Sequence, residues 1–222
     1  TIMNTPWTDA YWLPLLQLYL KSPEGIKPLY SKPLVELGMK LHIHPSILYS
    51  RMFLLRKRDT PLIISLFDRY YDNRNKLARD VRKLWKMAGF GNAEAFYDGV
   101  ETVETFERNF KPIRLIGNRV PEDMRKITPA MLVIVLDLYF RLTPQTMVEE
   151  TPEIMELAKL LKLKPKTITD IMDIYQICDP YLKREGIIVS PLLAECHRIW
   201  NIYGNDDPTK LASLAAQLKD YF

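Results

Sequence analysis

Apolar residues recur at spacings of three and four along several stretches of the chain, which is the spacing of one face of an α-helix. Two stretches show this most clearly, and each is followed by a proline, at Pro45 and at Pro165. Because the residue before a proline avoids helical backbone angles, one helix should end there and another should begin. The apolar positions are Leu34, Leu37 and Leu41 in the first stretch, and Ile154, Leu157 and Leu161 in the second.

These stretches belong to a pattern that occurs twice along the chain. With an offset of 120 residues, the stretch 7–60 aligns with 127–180 without a gap, and 11 of the 54 positions are identical. We interpret the chain as a tandem duplication in three parts. The parts are a basic helical repeat 1 (7–88), a connecting segment (89–126) and an acidic helical repeat 2 (127–222).

Each repeat should hold a helix, a loop, two helices joined by a turn of three or four residues, and a final helix. Thr8 and Thr128 lie where a helix N-cap is expected, with Pro129 at the first helical position. Pro14 should kink the first helix of repeat 1. The apolar run after Thr128 would by itself also suit a buried strand, but its leucine-rich counterpart in repeat 1 favours a helix.

The middle helices have the order of a helix-turn-helix unit. A small residue, Gly38 or Ala158, lies midway along the first of them, where two helix backbones should approach closely. The turn position that favours glycine holds His42 and Lys162, and Arg51 stands where a buried aliphatic residue is usual. The anchors of the second helix should be Ile47, Leu48 and Met52 in repeat 1, and Ile168, Ile171 and Met172 in repeat 2. The predicted fold class is all-α, with two tandem helix-turn-helix-like helical units joined by a partly structured segment.

Several residues are shared with a known family. Repeat 1 has Trp7-Thr8, Leu18-Tyr19, Pro45-Ser46, Leu48, Met52 and Asp59; repeat 2 has Leu138-Tyr139, Pro152-Glu153-Ile154, Leu157-Ala158, Pro165, Ile168, Met172 and Asp179-Pro180. Both repeats resemble the helical segment that precedes the HNH nuclease domain in many bacterial endonucleases and that occurs alone in uncharacterised bacterial proteins. The resemblance implies a bacterial DNA-binding role. It does not imply cleavage, because the three scattered histidines supply no HNH motif.

Charge differs between the repeats. Residues 1–88 hold 15 Lys and Arg against 7 Asp and Glu, a net +8, whereas residues 127–222 hold 10 against 13, a net −3. Double-stranded DNA should therefore be attracted to repeat 1, and repeat 2, with Thr169, Asp170 and Asp173 on its equivalent helix, should serve dimerisation or partner binding. The candidate nucleic-acid-binding residues are His44, Ser46, Tyr49, Ser50, Arg51 and Lys57.

Each of these features also has a simpler interpretation. The run Arg56-Lys57-Arg58 is typical of a solvated helix end that complements the helix dipole. Tyr49 and Phe53 are four residues apart, so they suit packing as well as base contacts. His42 and His44 could start a metal site, but no Cys or acidic cluster lies near them in sequence, and we expect no metal and no cofactor. The alternative to DNA binding is a helical protein–protein interaction module.

Composition sets the remaining expectations. At 222 residues and 47% hydrophobic content, the chain should be globular. Its longest apolar run, 131–140, is too short to span a bilayer, and no signal-like segment opens the sequence. Cys178 and Cys196 form no CxxC pair, so we expect a cytoplasmic protein without a membrane partner. No nucleophile–base or carboxylate pair is evident, so we expect no enzymatic activity. The connecting segment, including a turn at 89–92, should pack between or across the repeats.

Overall fold

A computed structural model of the protein describes residues 7–87, 90, 106–117, 120–184, 186 and 189–222. In these ranges the regular structure is entirely helical, with no strand. The all-α class predicted from the hydrophobic pattern is therefore confirmed. The chain divides into two compact units, one formed by residues 1–102 and the other by residues 103–220, apart from the two terminal residues. Most of the connecting segment's first half, and with it most of the turn predicted at 89–92, lies outside the described residues.

In the described residues of unit 1, five α-helices follow a short 3-10 helix at Asp9–Tyr11. They are α1 (Trp12–Leu20), α2 (Lys32–Leu41), α3 (Pro45–Lys57), α4 (Pro61–Tyr70) and α5 (Arg74–Lys86). Leu15, Leu34, Leu48 and Met52 are fully buried in their shared core, because each lies on the apolar face of its helix. The core therefore holds α3 against α1 and α2, which are its main packing neighbours.

The part of unit 2 that the structure describes starts with two 3-10 helices, Phe106–Phe110 and Glu122–Lys126, and continues with five α-helices and further short helical turns. They are α6 (Pro129–Arg141), a 3-10 turn (Pro144–Thr146), α7 (Pro152–Leu161), α8 (Pro165–Cys178), α9 (Leu193–Ile199) running into a π-helical turn (Trp200–Gly204), and α10 (Pro208–Lys219). Every residue of α6 from Pro129 to Tyr139 is buried. A helix apolar on all sides must lie at the centre of its unit, which explains why its sequence could also suit a strand.

The helices that precede and follow the predicted turn lie at corresponding positions in the two units. Lys32–Leu41 matches Pro152–Leu161 at the offset of 120, and Pro45–Lys57 matches all but the last residue of Pro165–Cys178. These bounds agree with the predicted helices; the duplication itself stays a prediction. The helices α4 and α9 were not predicted. In α4 the buried residues Ile63, Leu66, Phe67 and Tyr70 have helical spacing, but this stretch lies beyond the region that aligns between the repeats.

Thr8 and Pro14 both lie at helix starts in the first helical stretch of repeat 1. Pro14 lies in the first turn of α1, which begins at Trp12, and a proline there interrupts no intrahelical hydrogen bond of α1; the kink itself stays a prediction. Thr8 precedes the 3-10 helix but makes no capping hydrogen bond with its side chain. Its counterpart Thr128 does cap α6, since its hydroxyl accepts a hydrogen bond from the Met131 backbone N–H at 3.4 Å.

Candidate nucleic-acid interface

A three-residue turn positions α3 in unit 1. His42 ends α2 in the left-handed region, with φ 55°, and the Ile43 backbone N–H donates to the Gly38 carbonyl at 3.0 Å. A Cβ on Gly38 would lie 2.8 Å from the Ile43 carbonyl oxygen, so the chain approaches α2 too closely there for a larger residue. Lys162 has the same left-handed conformation in unit 2, with φ 56°. The turn geometry expected from the small residue and the glycine-type position is present.

The N-terminus of α3 involves three of the six candidate residues. His44 caps the helix: its Nδ1 accepts a hydrogen bond from the Ser46 backbone N–H at 3.1 Å, and the Ser46 hydroxyl lies 2.7 Å from the same nitrogen. The Ser50 hydroxyl donates to the Ser46 carbonyl at 2.9 Å. These groups satisfy the helix's own backbone, which is the usual role of short polar side chains in a first turn.

Arg51 lies against tryptophans rather than projecting from the surface. Its guanidinium carbon is 3.9 Å from the centre of the Trp7 ring and 5.5 Å from that of Trp12. Burial lowers the pKa of this guanidinium, and the Asp9 carboxylate partly offsets the effect. The aligned residues of unit 2 are Ile127 and Ile171, both fully buried. Unit 1 thus has a cation–π pair at the positions where unit 2 has two buried isoleucines. This pair accounts for an arginine at a site where an aliphatic residue is usual.

The outward face of α3 is partly apolar. Ile47 was expected to anchor the helix, but its side chain is 42% exposed. The buried face of α3 is set by Leu48, Met52 and Leu55, and Ile47 precedes the first of them, about 100° around the helix. Phe53 and Leu54 are also exposed, at 37% and 42%. Tyr49 is half-buried and packs edge-to-face on Phe53, with ring centres 5.0 Å apart.

The basic end of α3 is only partly available. Lys57 is exposed and pairs with Asp59, with Nζ 3.3 Å from the carboxylate. The guanidinium carbon of Arg56 lies 4.8 Å from the Phe53 ring centre, and that of Arg58 lies 3.5 Å from the Phe67 ring centre. Of the six candidates, the structure brings His44, Ser46 and Ser50 together at one end of α3, whereas Tyr49, Arg51 and Lys57 each contact a different neighbour.

The equivalent surface in unit 2 is organised around carboxylates. Asp170 pairs with Lys166 at 3.0 Å, and Asp173 is exposed one turn further along α8. Burial, with the nearby Asp170 carboxylate, raises the pKa of Asp173. Asp123, from the 3-10 helix before α6, accepts hydrogen bonds from the Thr167 hydroxyl at 2.9 Å and the Lys164 backbone N–H at 3.2 Å. That this face repels phosphate stays a prediction from its carboxylates.

The largest accumulation of basic residues lies on α5, which the sequence interpretation did not select. The helix Arg74–Lys86 carries six Lys and Arg and one acidic residue, Asp80. Arg79, Arg82, Lys83 and Lys86 are all exposed. A sequence signal was available, because the spacings of three, one and three between these residues place them on one side of a helix.

Other chemistry is not assembled in the part of the chain that the structure describes. It contains no group of three or more His, Cys, Asp and Glu side chains placed to hold a metal ion. No helix among these residues combines the length and apolar character needed to cross a bilayer. Burial raises the pKa of the Cys178 thiol to about 11 and raises that of Cys196 further, which disfavours the reactive thiolate form of both.

Comparison of the chain with protein-family models, with curated proteins and with solved structures finds no match. The resemblance to the segment that precedes HNH domains therefore rests on the shared residues alone.

Proposed function

We propose that the protein is a non-enzymatic, cytoplasmic DNA-binding or regulatory protein in which unit 1 contacts double-stranded DNA. The observation that supports this is the charge of residues 1–88, with 15 basic against 7 acidic side chains, in a chain whose residues 127–222 are net acidic. A helix-turn-helix-like arrangement of α2 and α3, and the resemblance to a segment of bacterial nucleases, favour a nucleic-acid partner over other polyanions.

The proposed binding is mainly to the phosphate backbone. His44, Ser46 and Ser50 satisfy the first turn of α3, and Arg51 stacks on Trp7, so these groups are engaged within unit 1. Base readout needs donors and acceptors directed at base edges, whereas exposed cations bind phosphate at any sequence. Unit 1 should therefore bind duplex DNA with a strong dependence on salt and little dependence on sequence.

Unit 2 is assigned a different role in this proposal. The carboxylates on α8, such as Asp170 and Asp173, would repel phosphate, and the stretch 127–222 has a net charge of −3. We propose that unit 2 supports homodimer formation or binds a protein partner, which needs no positive surface.

A second candidate function follows from the exposed apolar side chains of α3. Ile47, Phe53 and Leu54 are each more than a third exposed on the helix that would face DNA. Apolar groups at such a position suit a protein surface better than a phosphate backbone. The alternative is therefore a helical protein–protein interaction module that does not bind nucleic acid.

Binding of the full chain to a random-sequence duplex at several salt concentrations tests the proposal. We expect dissociation constants of about 10⁻⁴–10⁻⁶ M near physiological salt, weakening steeply as salt is raised. Asp170→Lys, a change of charge in unit 2, is the control variant and should leave the affinity of the chain for the duplex unchanged. Absence of salt-dependent binding by the wild-type chain would overturn the DNA-binding function and leave the interaction module in its place.

A further inference from the structure

The helix α5 has two sharply different sides. Leu77 and Val81, one turn apart, are 2% and 3% exposed and face the core of unit 1, where α5 packs chiefly against α1. On the other side, Arg79, Arg82, Lys83 and Lys86 are exposed at spacings that place them along a single stripe. We call these four residues the α5 basic stripe.

The other charged residues of α5 contact groups outside the stripe, and Lys76 lies with its Nζ 5.9 Å from the centre of the Tyr70 ring. The Arg74 guanidinium pairs with Glu24 at 2.8 Å and donates to the Leu20 carbonyl at 3.1 Å. The carboxylate of Asp80, the one acidic residue of the helix, accepts a hydrogen bond from the buried Tyr70 hydroxyl at 2.7 Å. Among the described residues, no carboxylate forms an ion pair with the α5 basic stripe. Among the residues that the structure describes, the stripe therefore presents positive charge to solvent without a paired carboxylate.

The aligned helix of unit 2, α10, keeps the buried apolar positions of α5 without its exposed basic residues. When 74–84 is aligned with 208–218, the buried residues Leu77 and Val81 correspond to Leu211 and Ala215, which are 3% and 0% exposed. Arg79, Arg82 and Lys83 correspond to Ser213, Ala216 and Gln217, and two residues beyond the alignment Lys86 corresponds to Asp220, which follows α10; all four are exposed and none is basic. The apolar side of the helix is thus kept while the outward charge is specific to unit 1. A difference confined to the exposed side indicates an interaction rather than a requirement of packing.

We propose that the α5 basic stripe, rather than α3, is the principal phosphate-contact surface of the protein for duplex DNA. This inference rests on the proposed DNA-binding function of unit 1. The stripe extends about 10 Å along the helix, since each residue rises about 1.5 Å. Duplex DNA carries about one negative charge per 1.7 Å of its axis, so several phosphates fall within the length of the stripe. Contacts of this kind neutralise phosphates without distinguishing bases.

A duplex fits this surface better than a lipid bilayer does. Helices that bind at a membrane surface insert an apolar face between the lipid headgroups and chains. In α5 that face is already buried, with Leu77 and Val81 almost fully removed from solvent. Only the charged side is available, and this suits a polyanion that the protein contacts without inserting into it.

The test uses two variants of the full chain with equal net charge. The stripe variant, Arg79→Ser with Arg82→Ala and Lys83→Gln, carries the residues that unit 2 has at the aligned positions. The control variant, Lys32→Gln with Arg56→Gln and Lys57→Gln, removes three exposed cations from α2 and α3. Both are measured for binding to a random-sequence duplex across a range of salt concentrations, with melting temperatures recorded in parallel.

We expect the stripe variant to lose about 2 to 3 units of slope in log K against log salt, and roughly a hundredfold or more in affinity near 0.1 M salt. The control variant should keep most of the wild-type slope. Both variants should melt at temperatures close to that of the wild type, because the side chains that are replaced are exposed. The three replacement residues of the stripe variant also occur at the aligned positions of α10.

The outcomes separate this inference from the proposed function. If wild type binds DNA and the two variants weaken equally, or only the control variant weakens, the stripe is not the contact surface although DNA binding stands. If wild type does not bind DNA, the proposed function fails as well. Stripe-dependent binding to vesicles of phosphatidylserine but not to the duplex would assign the surface to lipid headgroups and overturn the inference.

Discussion

Single residues in the turn between α2 and α3 adopt conformations that their side chains disfavour. His42 and the aligned Lys162 both have positive φ values, 55° and 56°. In this region a Cβ crowds the neighbouring carbonyl oxygen at a cost of about 1 kcal/mol, which glycine avoids. The same conformation in both units shows that the geometry of the turn, and not the preference of the residue, sets the backbone there.

Lys162 offers a direct test of this strain, because its side chain is exposed. Lys162→Gly should raise the free energy of unfolding by up to about 1 kcal/mol, because glycine relieves the backbone strain. The greater conformational entropy of glycine in the unfolded chain offsets only part of this gain. Lys159→Gly, an exposed position within α7, is the matched control and should lower it by about 1 kcal/mol. Denaturant melts would measure both. Equal losses for the two variants would contradict the role assigned to position 162.

Gly38 makes the complementary prediction about close packing. Alanine normally stabilises a helix interior relative to glycine by about 1 kcal/mol. Here the added Cβ would lie 2.8 Å from the Ile43 backbone oxygen, so the turn must shift to accept it. We expect Gly38→Ala to lower the free energy of unfolding by about 1 kcal/mol in the same assay, because overpacking outweighs helix propensity. A stabilised variant would show that the turn adapts, as it does around Ala158.

Individual helices solve the same capping problem in different ways. The N-terminus of α3 is capped locally, by the His44 imidazole accepting from the Ser46 backbone N–H. The N-terminus of α8 has no side-chain cap at the aligned Lys164, whose backbone N–H instead donates to Asp123, 41 residues earlier in the chain. Both arrangements satisfy donors that a helix leaves unpaired in its first turn. The second also joins the segment before α6 to the start of α8.

Asp123 should therefore stabilise unit 2 in a pH-dependent manner. The Thr167 hydroxyl and then the Lys164 backbone N–H lower the pKa of this carboxyl below its ordinary value of 3.8. A lowered folded-state pKa means that the contribution is present above the ordinary value and is lost as pH falls through the lowered one. Asp123→Ala should reduce the free energy of unfolding by about 1 kcal/mol at pH 7, typical of a lost cap.

The difference between Asp123→Ala and wild type should narrow progressively below about pH 4, as the wild-type carboxyl becomes protonated. Glu122→Ala removes the adjacent exposed carboxyl and is the control, with little expected effect at either pH. Urea melts across a pH series would measure both variants. A difference that grows as pH falls would show that Asp123 does not act as an ionised cap.

For the molecule as a whole, charge is the property that most distinguishes one part of the chain from the other. The overall net charge of +4 conceals +8 in residues 1–88 and −3 in residues 127–222. In unit 1 the polar groups at the start of α3 bond to the helix itself, and the exposed cations of α5 remain. Under the proposed function, these cations would supply affinity for DNA without a set of base-reading groups.

We therefore expect the full chain to bind DNA without sequence preference. Repeated selection from a random duplex pool should enrich no consensus sequence, and a competitor of any sequence should displace a labelled duplex at similar concentrations. A homopolymer duplex of the same length, which carries the same number of phosphates, is a suitable control for binding to the DNA backbone. Enrichment of a defined sequence would contradict this prediction and would indicate that α3 contacts base edges.

The positions of most helices follow from the sequence because their signals are local. Prolines 45 and 165 open α3 and α8, Thr128 caps α6, and apolar residues at helical spacing mark the buried faces of α2 and α7. These signals act within one or two turns, so they predict helix starts and turn lengths without knowledge of packing. The helix α4 carried a similar signal and was missed only because its stretch lies outside the aligned region.

Tertiary packing decides which way individual side chains face and what they contact. Arg51 stacks on Trp7, 44 positions away along the chain, and Ile47 is exposed because α3 packs on α1 and α2 through the face that carries Leu48, Met52 and Leu55. The stripe on α5 became recognisable once Leu77 and Val81 were seen to bury the opposite side. Spacing along a helix shows which residues share a face, but only the neighbouring helices determine whether that face meets the core or solvent.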